Sequence, residues 1–342
     1  MNYIPIPMKK IGPVKIIGKE FNIEVLVPLA TFETTIYASA QRGARATYNA
    51  GGINCILIYD SMSRSICMEA KNAMSAIQIK YEIEKSYNII SMIISSTSSF
   101  ASLESMQIKQ IGSILYIRIN IKTGNASGHN MVTKAADALI IWLLEKYSKL
   151  KYISVSGNFC TDKKVSAVNP LFGRGKSVIA DIIIPDILCQ KILRTNAKKI
   201  VDLNIKKNLL GSIQAGSLLT ANAHYANLLL ATYLATGQDA ANIVEGSQGI
   251  TYAKCDKKNL YFSVNIPNII VGTVGHGKDH SFIKKNLLEL GCLEKNHSYL
   301  NSRKLAIIIA ATVLCGELSL LASLTNIGEL MKAHQFFERR NK

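Results

Sequence analysis

The chain has 342 residues, of which 48% are hydrophobic and 18% charged. This composition excludes a disordered chain, a collagen and a mini-protein, and the length allows one large domain or two ordinary ones. There are 40 Lys and Arg residues against 23 Asp and Glu, which gives a net charge of +17. The basic residues are scattered and aromatic residues make up only 7%, so nucleic-acid binding is disfavoured. A basic cleft for a polyanionic small ligand and an ordinary lysine-rich surface both remain open interpretations.

The sequence predicts neither a membrane span nor an export signal. Its longest apolar run is residues 305–315, counting Thr312, whereas a bilayer requires about 20 residues. Prolines occupy the N-terminal stretch that would be apolar in a secretory signal, so we expect a cytoplasmic protein. The seven cysteines lie far apart without a C-x-x-C pair, which predicts reduced thiols, mostly in the core.

In chain order, the first distinctive stretch is 65–155. Alternation at 115–121 predicts a strand, helical apolar spacing follows at 132–148, and 152–156 is strand-like again. The stretch therefore predicts a small α+β unit. No Pro-, Gly- or Ser-rich linker divides the chain, so we expect this unit to be an insertion into a larger domain.

Two helices are predicted further along. Residues 222–236 have Asn222 as a candidate N-cap and Gly237 as a stop. Residues 303–324 are apolar on almost every side, which is typical of a helix at a domain centre or a subunit interface.

Two glycine-containing segments fail the common phosphate-binding patterns. Residues 173–177 (GRGKS) resemble the end of a Walker A loop, but Pro170 stands where that motif needs glycine. Residues 272–277 (GTVGHG) have Val274 where the dinucleotide fingerprint needs glycine.

Three further segments have both a functional and an ordinary interpretation. The turn at 123–130 precedes a predicted helix and is a candidate anion site, or simply a strand-to-helix turn. The charged run at 162–164 is typical of a solvated surface. His276 and His280 are spaced like a metal pair but lack a third ligand at a familiar spacing, so we predict no metal site.

Taken in order, ten segments resemble one family, 3-hydroxy-3-methylglutaryl-CoA (HMG-CoA) reductase. The resemblance covers essentially the whole chain and preserves the family's motif order. The segments CTDKK and GQD resemble the class found in eukaryotes and archaea. The ten segments are residues 28–46, 60–64, 123–131, 156–169, 173–178, 204–217, 222–227, 235–247, 266–277 and 316–334.

The resemblance implies an α+β fold: a large substrate-binding domain (1–64 and 156–342) around a buried central helix, with an inserted small ferredoxin-like α/β nucleotide-binding domain (65–155). The implied activity is that of an NAD(P)H-dependent oxidoreductase of the mevalonate (isoprenoid biosynthesis) pathway. It would reduce HMG-CoA by four electrons to mevalonate and CoA, with NADPH or alternatively NADH. The implied assembly is a homodimer or dimer of dimers with active sites between subunits, without nucleic acid or membrane.

The resemblance also assigns four catalytic groups. Hydride attack on a thioester carbonyl develops an oxyanion, which Lys163 would hold. Glu33 would supply a proton from a carboxyl group with a raised pKa, and Asp239 would couple to both groups through the lysine. His334 would protonate the departing CoA thiolate.

The implied binding residues fall into two sets. The substrate contacts are Arg64, Ser156, Asp162, Lys164, Lys207, His224 and Asn227, with Arg42 and Arg45 for the CoA phosphates. The cofactor contacts are Ser99, Phe100, Lys122, Asn125, Gly128, Asn130, Val274, Gly275 and Gly277.

Several positions depart from the family pattern. Ser99 replaces an arginine expected near the 2′-phosphate of NADP, a loss for which Lys122 could compensate. The segment Glu-Asn-Val-Ile-Gly that contributes to the dimer core in relatives is not found before the Pro-rich start. The other departures are Asn125, Ser127, His129, Ile270 and His276. Together they motivate an alternative, a catalytically impaired reductase-fold protein that binds a CoA thioester without hydride transfer.

Overall fold

The computed structural model describes residues 2, 4–294 and 300–338. The strands are β1 (Met8–Ile17), β2 (Ile23–Ala30), β3 (Ile53–Glu69), β4 (Ser102–Ile111), β5 (Ile114–Lys122), β6 (Lys151–Ser154), β7 (Gly175–Ile184), β8 (Ile250–Asp256) and β9 (Asn259–Ile269). The α-helices are α1 (Thr35–Asn49), α2 (Ala73–Lys85), α3 (Tyr87–Ser96), α4 (His129–Lys146), α5 (Val168–Phe172), α6 (Asp186–Leu188), α7 (Ala197–Leu203), α8 (Ser212–Gln214), α9 (Tyr225–Ala235), α10 (Ile243–Gly246), α11 (Ser281–Glu289), α12 (Leu300–Leu324) and α13 (Glu329–Glu338). Two π-helical segments (Cys189–Leu193 and Asn204–Gly211) and a 3₁₀ turn (Ala240–Asn242) complete the elements.

A large sheet with strand order β2-β1-β3-β7-β9-β8 forms the main framework. β1 and β3 are parallel, and the other neighbours in this order are antiparallel. The 17-residue strand β3 is shared by two sheets: residues 54–61 pair with β7, and residues 62–69 pair with β5. The inserted sheet is therefore a continuation of a strand of the large sheet.

The helix α12 lies at the centre of the main core, as its apolar sequence predicts. Between Asn301 and Ala322 all of its residues are buried except Arg303 and Leu320. Gly43 allows α1 to approach it, because a Cβ at this position would lie 1.9 Å from the carbonyl oxygen of Cys315. By length and apolar character α12 could cross a membrane, but 94% of its apolar window is buried inside the fold, as in a core helix.

The inserted unit has its own sheet, with order β6-β3-β5-β4. A second hydrophobic core, running from Met62 to Leu150 and joined by Ile270, packs α2, α3 and α4 against this sheet. The α+β insertion predicted from the sequence is confirmed. The order β6-β3-β5-β4 with antiparallel neighbours, α2 and α3 between β3 and β4, and α4 between β5 and β6 is the topology of a split βαβ unit, as predicted.

The local predictions in this unit are also confirmed. The strand predicted at 115–121 lies within β5, and the helix predicted at 132–148 corresponds to α4, which begins at His129. The strand predicted at 152–156 overlaps the shorter β6.

The helix predicted at 222–236 begins later than expected, at Tyr225, and its N-cap is His224. Asn222 does not cap it as predicted, although its Oδ1 still accepts a hydrogen bond from the Tyr225 N–H at 3.2 Å. The backbone at 223–224 instead donates to the buried carboxylate of Glu317, which holds these residues outside the helical conformation.

All seven cysteines are free, as predicted, and six of them are buried. Among the described residues no group of three or more His, Cys, Asp or Glu side chains could hold a metal ion.

Candidate active site

Two of the predicted catalytic residues form an ion pair. Lys163 Nζ lies 2.7 Å from Asp239 Oδ2, and both side chains are partly exposed. The other Asp239 oxygen accepts the Ala241 N–H at 3.1 Å and caps the short 3₁₀ turn. The carboxylate is therefore fixed in place, and it holds the ammonium group at the surface of a site that a ligand can reach.

The loop that presents Lys163 is strained in a way that orients its side chain. Asn158, Thr161 and Lys163 all have positive φ angles, with Lys163 at 56°. The Lys163 N–H donates to Glu245 Oε1 at 3.1 Å, so a buried carboxylate from α10 anchors the loop. Such over-determined backbone strain is commonly found at functional sites.

The buried guanidinium of Arg174 connects this loop to the core. Its Nη2 donates to Asp162 Oδ1 at 2.5 Å, its Nη1 donates to the Ser63 carbonyl at 2.5 Å, and its Nε lies 3.5 Å from Glu245 Oε1. Arg174 and Glu245 are fully buried. Neither is among the predicted site residues, although both lie in segments that carry the family resemblance.

These contacts set the charge states of the pair. The hydrogen bond to Asp239 raises the pKa of Lys163. Burial alone would raise the pKa of Asp239, but the hydrogen bonds from Lys163 and the Ala241 N–H outweigh it and lower this pKa. At neutral pH the site therefore presents a fixed ammonium beside a carboxylate, an arrangement suited to stabilising a developing oxyanion.

His129, the first residue of α4, lies beside this centre. Its Nε2 is buried without a hydrogen-bond partner in the described part of the chain and lies 3.9 Å from Asp162 Oδ1. Burial and the positive charge of Arg174 lower the pKa of His129 to about 4, and the nearby carboxylates only partly oppose this shift. The imidazole is therefore neutral at physiological pH.

The structure brings the two predicted cofactor loops together. The Thr273 N–H donates to the Asn125 carbonyl at 2.8 Å, and Ala126 forms a β-bridge with Val274. The turn predicted at 123–130 ends at Gly128 in the structure (φ +97°). Helix α4 then begins at His129 without a side-chain cap. Predicted contacts far apart in sequence thus converge on one uncapped helix N-terminus, where free N–H groups favour an anion.

A lysine that the sequence analysis did not single out links these loops to Asp239. Lys278, directly after the second loop, donates from Nζ to the carbonyl of Gly237. Burial lowers its pKa to about 8, a shift that the negative charge of Asp239 opposes.

A cleft of about 430 Å³ opens beside the first loop. It contains the predicted cofactor residues Ser99, Phe100 and Lys122, together with Asp60 and Arg303 from the large core. Asn130 lies in the first turn of α4, and Gly275 and Gly277 lie in the second loop; none of the three lines this cleft.

Four of the predicted substrate residues lie close together where the large domain adjoins the inserted unit. Arg64 donates to Thr133 Oγ1 at 2.6 Å and to Ser156 Oγ at 3.4 Å. Lys164 Nζ donates to the Asp162 carbonyl at 3.0 Å. Arg64, Ser156, Asp162 and Lys164 therefore surround the Lys163 loop.

The remaining substrate residues form a second group around Glu317. This fully buried carboxylate accepts hydrogen bonds from the backbone N–H groups of Ala223 (2.6 Å) and His224 (3.1 Å). It also accepts a hydrogen bond from Asn208 Nδ2 (3.4 Å), whose Oδ1 binds Lys207 Nζ (3.2 Å). Glu317 thus fixes the start of α9, which carries Asn227, beside Lys207. The sequence feature that could have indicated Glu317 is a single carboxylate in an otherwise apolar helix.

Glu33 and His334 occupy a third region. Glu33 hydrogen-bonds locally, through its N–H to Thr31 Oγ1 and through Oε1 to Thr35 Oγ1, and within the described chain it makes no hydrogen bond or ion pair with Lys163. Thr34 Oγ1 donates to the Phe337 carbonyl at 3.4 Å, so this loop contacts α13, which carries His334.

The two arginines predicted for the CoA phosphates differ in their surroundings. Arg42 is fully engaged: it pairs with Glu329 at 2.5 Å and donates to Ser319 and Ser323. Arg45 is exposed on the same helix. The roles of both in phosphate binding stay predictions.

Fold and site together define a class of α+β protein in which an inserted unit and the large domain each contribute a glycine-containing turn beside a network of ion pairs. The family profile described as Hydroxymethylglutaryl-coenzyme A reductase matches residues 1–339. The chain therefore belongs to the HMG-CoA reductase family.

Individual relatives agree with this assignment. The chain is 40% identical over 348 residues to 3-hydroxy-3-methylglutaryl-coenzyme A reductase 3 of Hevea brasiliensis, covering 100% of this chain and 58% of that protein. It is 41% identical over 344 residues to the reductase of Phycomyces blakesleeanus, covering 99% of this chain and 29% of that protein. The chain thus spans only part of the length of these relatives.

Among solved structures, the class II HMG-CoA reductase of Streptococcus pneumoniae bound to NADPH has a TM-score of 0.77 to this chain at 19% identity. The match covers 95% of this chain and 86% of that one. At this identity the likeness establishes the fold, and the predicted α+β architecture is confirmed.

Proposed function

We propose that this protein reduces HMG-CoA to mevalonate and free CoA, consuming two molecules of NADPH and two protons. The observation that carries the proposal is the Lys163–Asp239 ion pair beside two convergent cofactor loops, in a chain of this family. The relatives named above support the substrate by their own names, and the Streptococcus pneumoniae structure supports the cofactor.

The residues of the cofactor region fit a phosphorylated dinucleotide. The uncapped N-terminus of α4 offers backbone donors for a diphosphate, and the cleft offers Lys122, Arg303 and the serine hydroxyls. When bound, the reduced nicotinamide supplies the hydride for each of the two reductions. We place it on the inserted unit (65–155), with the thioester on the large domain (1–64 and 156–342).

Lys163 has the central electrostatic role in this mechanism. The thioester carbonyl gains negative charge as the first hydride adds, and the Lys163 ammonium stabilises that charge. Asp239 keeps the ammonium oriented and protonated through their 2.7 Å contact. Because Asp239 is itself held by Ala241, the donor is pre-positioned rather than recruited during the reaction.

His334 and Glu33 complete the proton transfers. Loss of CoA as a thiolate leaves an aldehyde, and His334 donates the proton that prevents the thiolate from adding back. The second hydride converts the aldehyde to an alkoxide, to which Glu33 delivers a proton. Arg64, Lys164 and Lys207 supply the cationic donors that recognise the substrate carboxylate.

We propose that these groups meet between two subunits. Glu33 and His334 lie on neighbouring elements, whereas Lys163 is held in a separate network of the same chain. A homodimer in which one subunit supplies the Glu33 region and the other the Lys163 loop would assemble a complete site. A cytoplasmic location is proposed from the sequence.

The test is turnover by the purified protein. HMG-CoA should cause oxidation of NADPH in a ratio of two NADPH per mevalonate formed, with mevalonate identified by mass spectrometry and free CoA by thiol titration. A folded protein that binds HMG-CoA in calorimetry but oxidises neither NADPH nor NADH would instead establish the impaired alternative.

A further inference from the structure

Arg303 is the exception in the central helix. It lies in the first turn of α12, where it and Leu320 alone escape burial between Asn301 and Ala322. Its side chain retains 26% of its exposed surface and lines the 430 Å³ cleft opposite the inserted unit. The only arginine of this helix therefore faces the predicted cofactor residues.

The guanidinium is oriented but not fully occupied. Its Nε donates to Asp60 Oδ2 at 2.8 Å, and its Nη1 lies 3.9 Å from the partly exposed carboxylate of Glu20. Asp60 also pairs with the buried Lys176 at 3.1 Å, so one carboxylate serves two cations. The contact with Asp60 uses one of the five N–H donors of arginine and leaves the outer edge of the guanidinium for a ligand.

The opposite wall has complementary chemistry. Lys122 contributes an ammonium group, paired with Glu104 at 2.8 Å, and Ser99 and Ser102 contribute hydroxyls. Phe100 is 48% exposed and offers an aromatic face. Hydroxyls, two cations and an aromatic face suit a nucleoside that carries a phosphate monoester, and the cleft volume is within the range of small-molecule sites.

We propose that Arg303 is a specificity-determining residue that contacts the adenosine 2′-phosphate of NADPH and so selects NADPH over NADH. This inference rests on the proposed function. The inserted unit has Ser99 where the family resemblance leads us to expect an arginine. Arg303, on the central helix of the large domain, would supply the missing positive charge. A planar guanidinium suits a phosphate monoester because it can donate two parallel hydrogen bonds to it.

The test is calorimetric binding of NADPH, NADH and adenosine 2′,5′-bisphosphate to the wild type, Arg303→Gln and Arg303→Lys. Arg303→Gln should weaken NADPH and the bisphosphate by about 10- to 100-fold while NADH changes less than about twofold, since only the first two carry the phosphate. Arg303→Lys should retain part of the affinity. Arg194→Gln, which alters an exposed arginine outside the cleft lining, is the matched control.

Unchanged NADPH affinity in Arg303→Gln, or an equal loss for NADPH and NADH, would overturn the inference. A thermal melt like that of the wild type shows that the variant is folded. The outcomes separate the two proposals. A wild type that reduces HMG-CoA but binds both nucleotides equally refutes the role of Arg303 alone, whereas a wild type that binds neither nucleotide refutes the proposed function as well.

Discussion

The Lys163 loop and the Glu33 loop carry predicted catalytic residues, yet they are held in different ways. Lys163 is tied through its backbone to buried Glu245 and through its side chain to Asp239, and the neighbouring Asp162 is tied to buried Arg174. Glu33 hydrogen-bonds with Thr31, Thr35 and Ile36, all within three positions along the chain. The Lys163 loop is thus anchored to buried residues of its own chain, whereas the hydrogen bonds of Glu33 are local.

The largest expected effect comes from breaking the network that anchors the Lys163 loop. Arg174→Met removes a buried cation and leaves Glu245 and Asp162 without that partner. The free energy of unfolding should fall by about 3–5 kcal/mol, the usual result of unpairing a buried charge. Denaturant unfolding measures it, and the double variant Arg174→Met/Glu245→Gln should recover part of the loss. A loss below about 1 kcal/mol would show that the network is not structural.

Lys163→Met tests the proposed chemistry of the Lys163 loop without disturbing its fold. If Lys163 stabilises the oxyanion as proposed, its removal should lower kcat by about 100- to 1000-fold. The melting temperature should change little, because the pair with Asp239 is partly exposed and such pairs contribute at most about 1 kcal/mol. Lys257→Met is the control, since Lys257 also has a positive φ (57°) but lies in the turn between β8 and β9. Equal activity in both variants would remove Lys163 from the mechanism.

His129 provides a pH-dependent test of the same region. Its pKa of about 4 lies below the ordinary value of 6.5, so the unfolded chain binds the proton more tightly. The contribution of the neutral His129 to the free energy of unfolding should be fully present above about pH 6.5. It should fall by about 3 kcal/mol as the pH drops to 4. Unfolding curves at several pH values should show this loss in the wild type and not in His129→Gln; parallel curves would contradict the buried, neutral imidazole.

The last test examines the Glu33 loop. If Glu33 and Lys163 of different subunits share a site, mixing Glu33→Gln with Lys163→Met after dissociation and reassembly should restore about a quarter of wild-type activity, because half of the dimers are mixed and each has one intact site. Steady-state turnover of the mixture against each variant alone measures it. No gain over the separate variants, with subunit exchange verified by mass, would place both residues in one subunit.

The sequence predicts the parts of this molecule that depend on local pattern. The apolar character of 303–324 predicted a central helix, and α12 is buried almost completely. Alternation at 115–121 predicted β5. In contrast, α2 and α3 between β3 and β4 were not predicted, because apolar spacing does not report how many helices fill a connection.

The site was predictable to a similar degree. The family resemblance identified Lys163 and Asp239, which form an ion pair in the structure. It did not identify Arg174 and Glu245, which support them. Arg174 lies in a segment that fails the phosphate-loop pattern, and the sequence gives it no separate role. Its structural role depends on contacts with Ser63 and Glu245, which lie far from it in sequence. Such networks are set by tertiary packing, and no spacing rule along the chain encodes them.

The shared strand β3 also determines how this architecture can be cut or exchanged. Its 17 residues leave no linker at the entry to the inserted unit, because hydrogen bonding passes from β7 to β5 between Ser61 and Met62. A graft that replaced the unit would have to splice inside a paired strand and keep its alternation of faces, since a one-residue error would turn core side chains towards solvent. The inserted unit is consequently an outgrowth of the large sheet and not an exchangeable module.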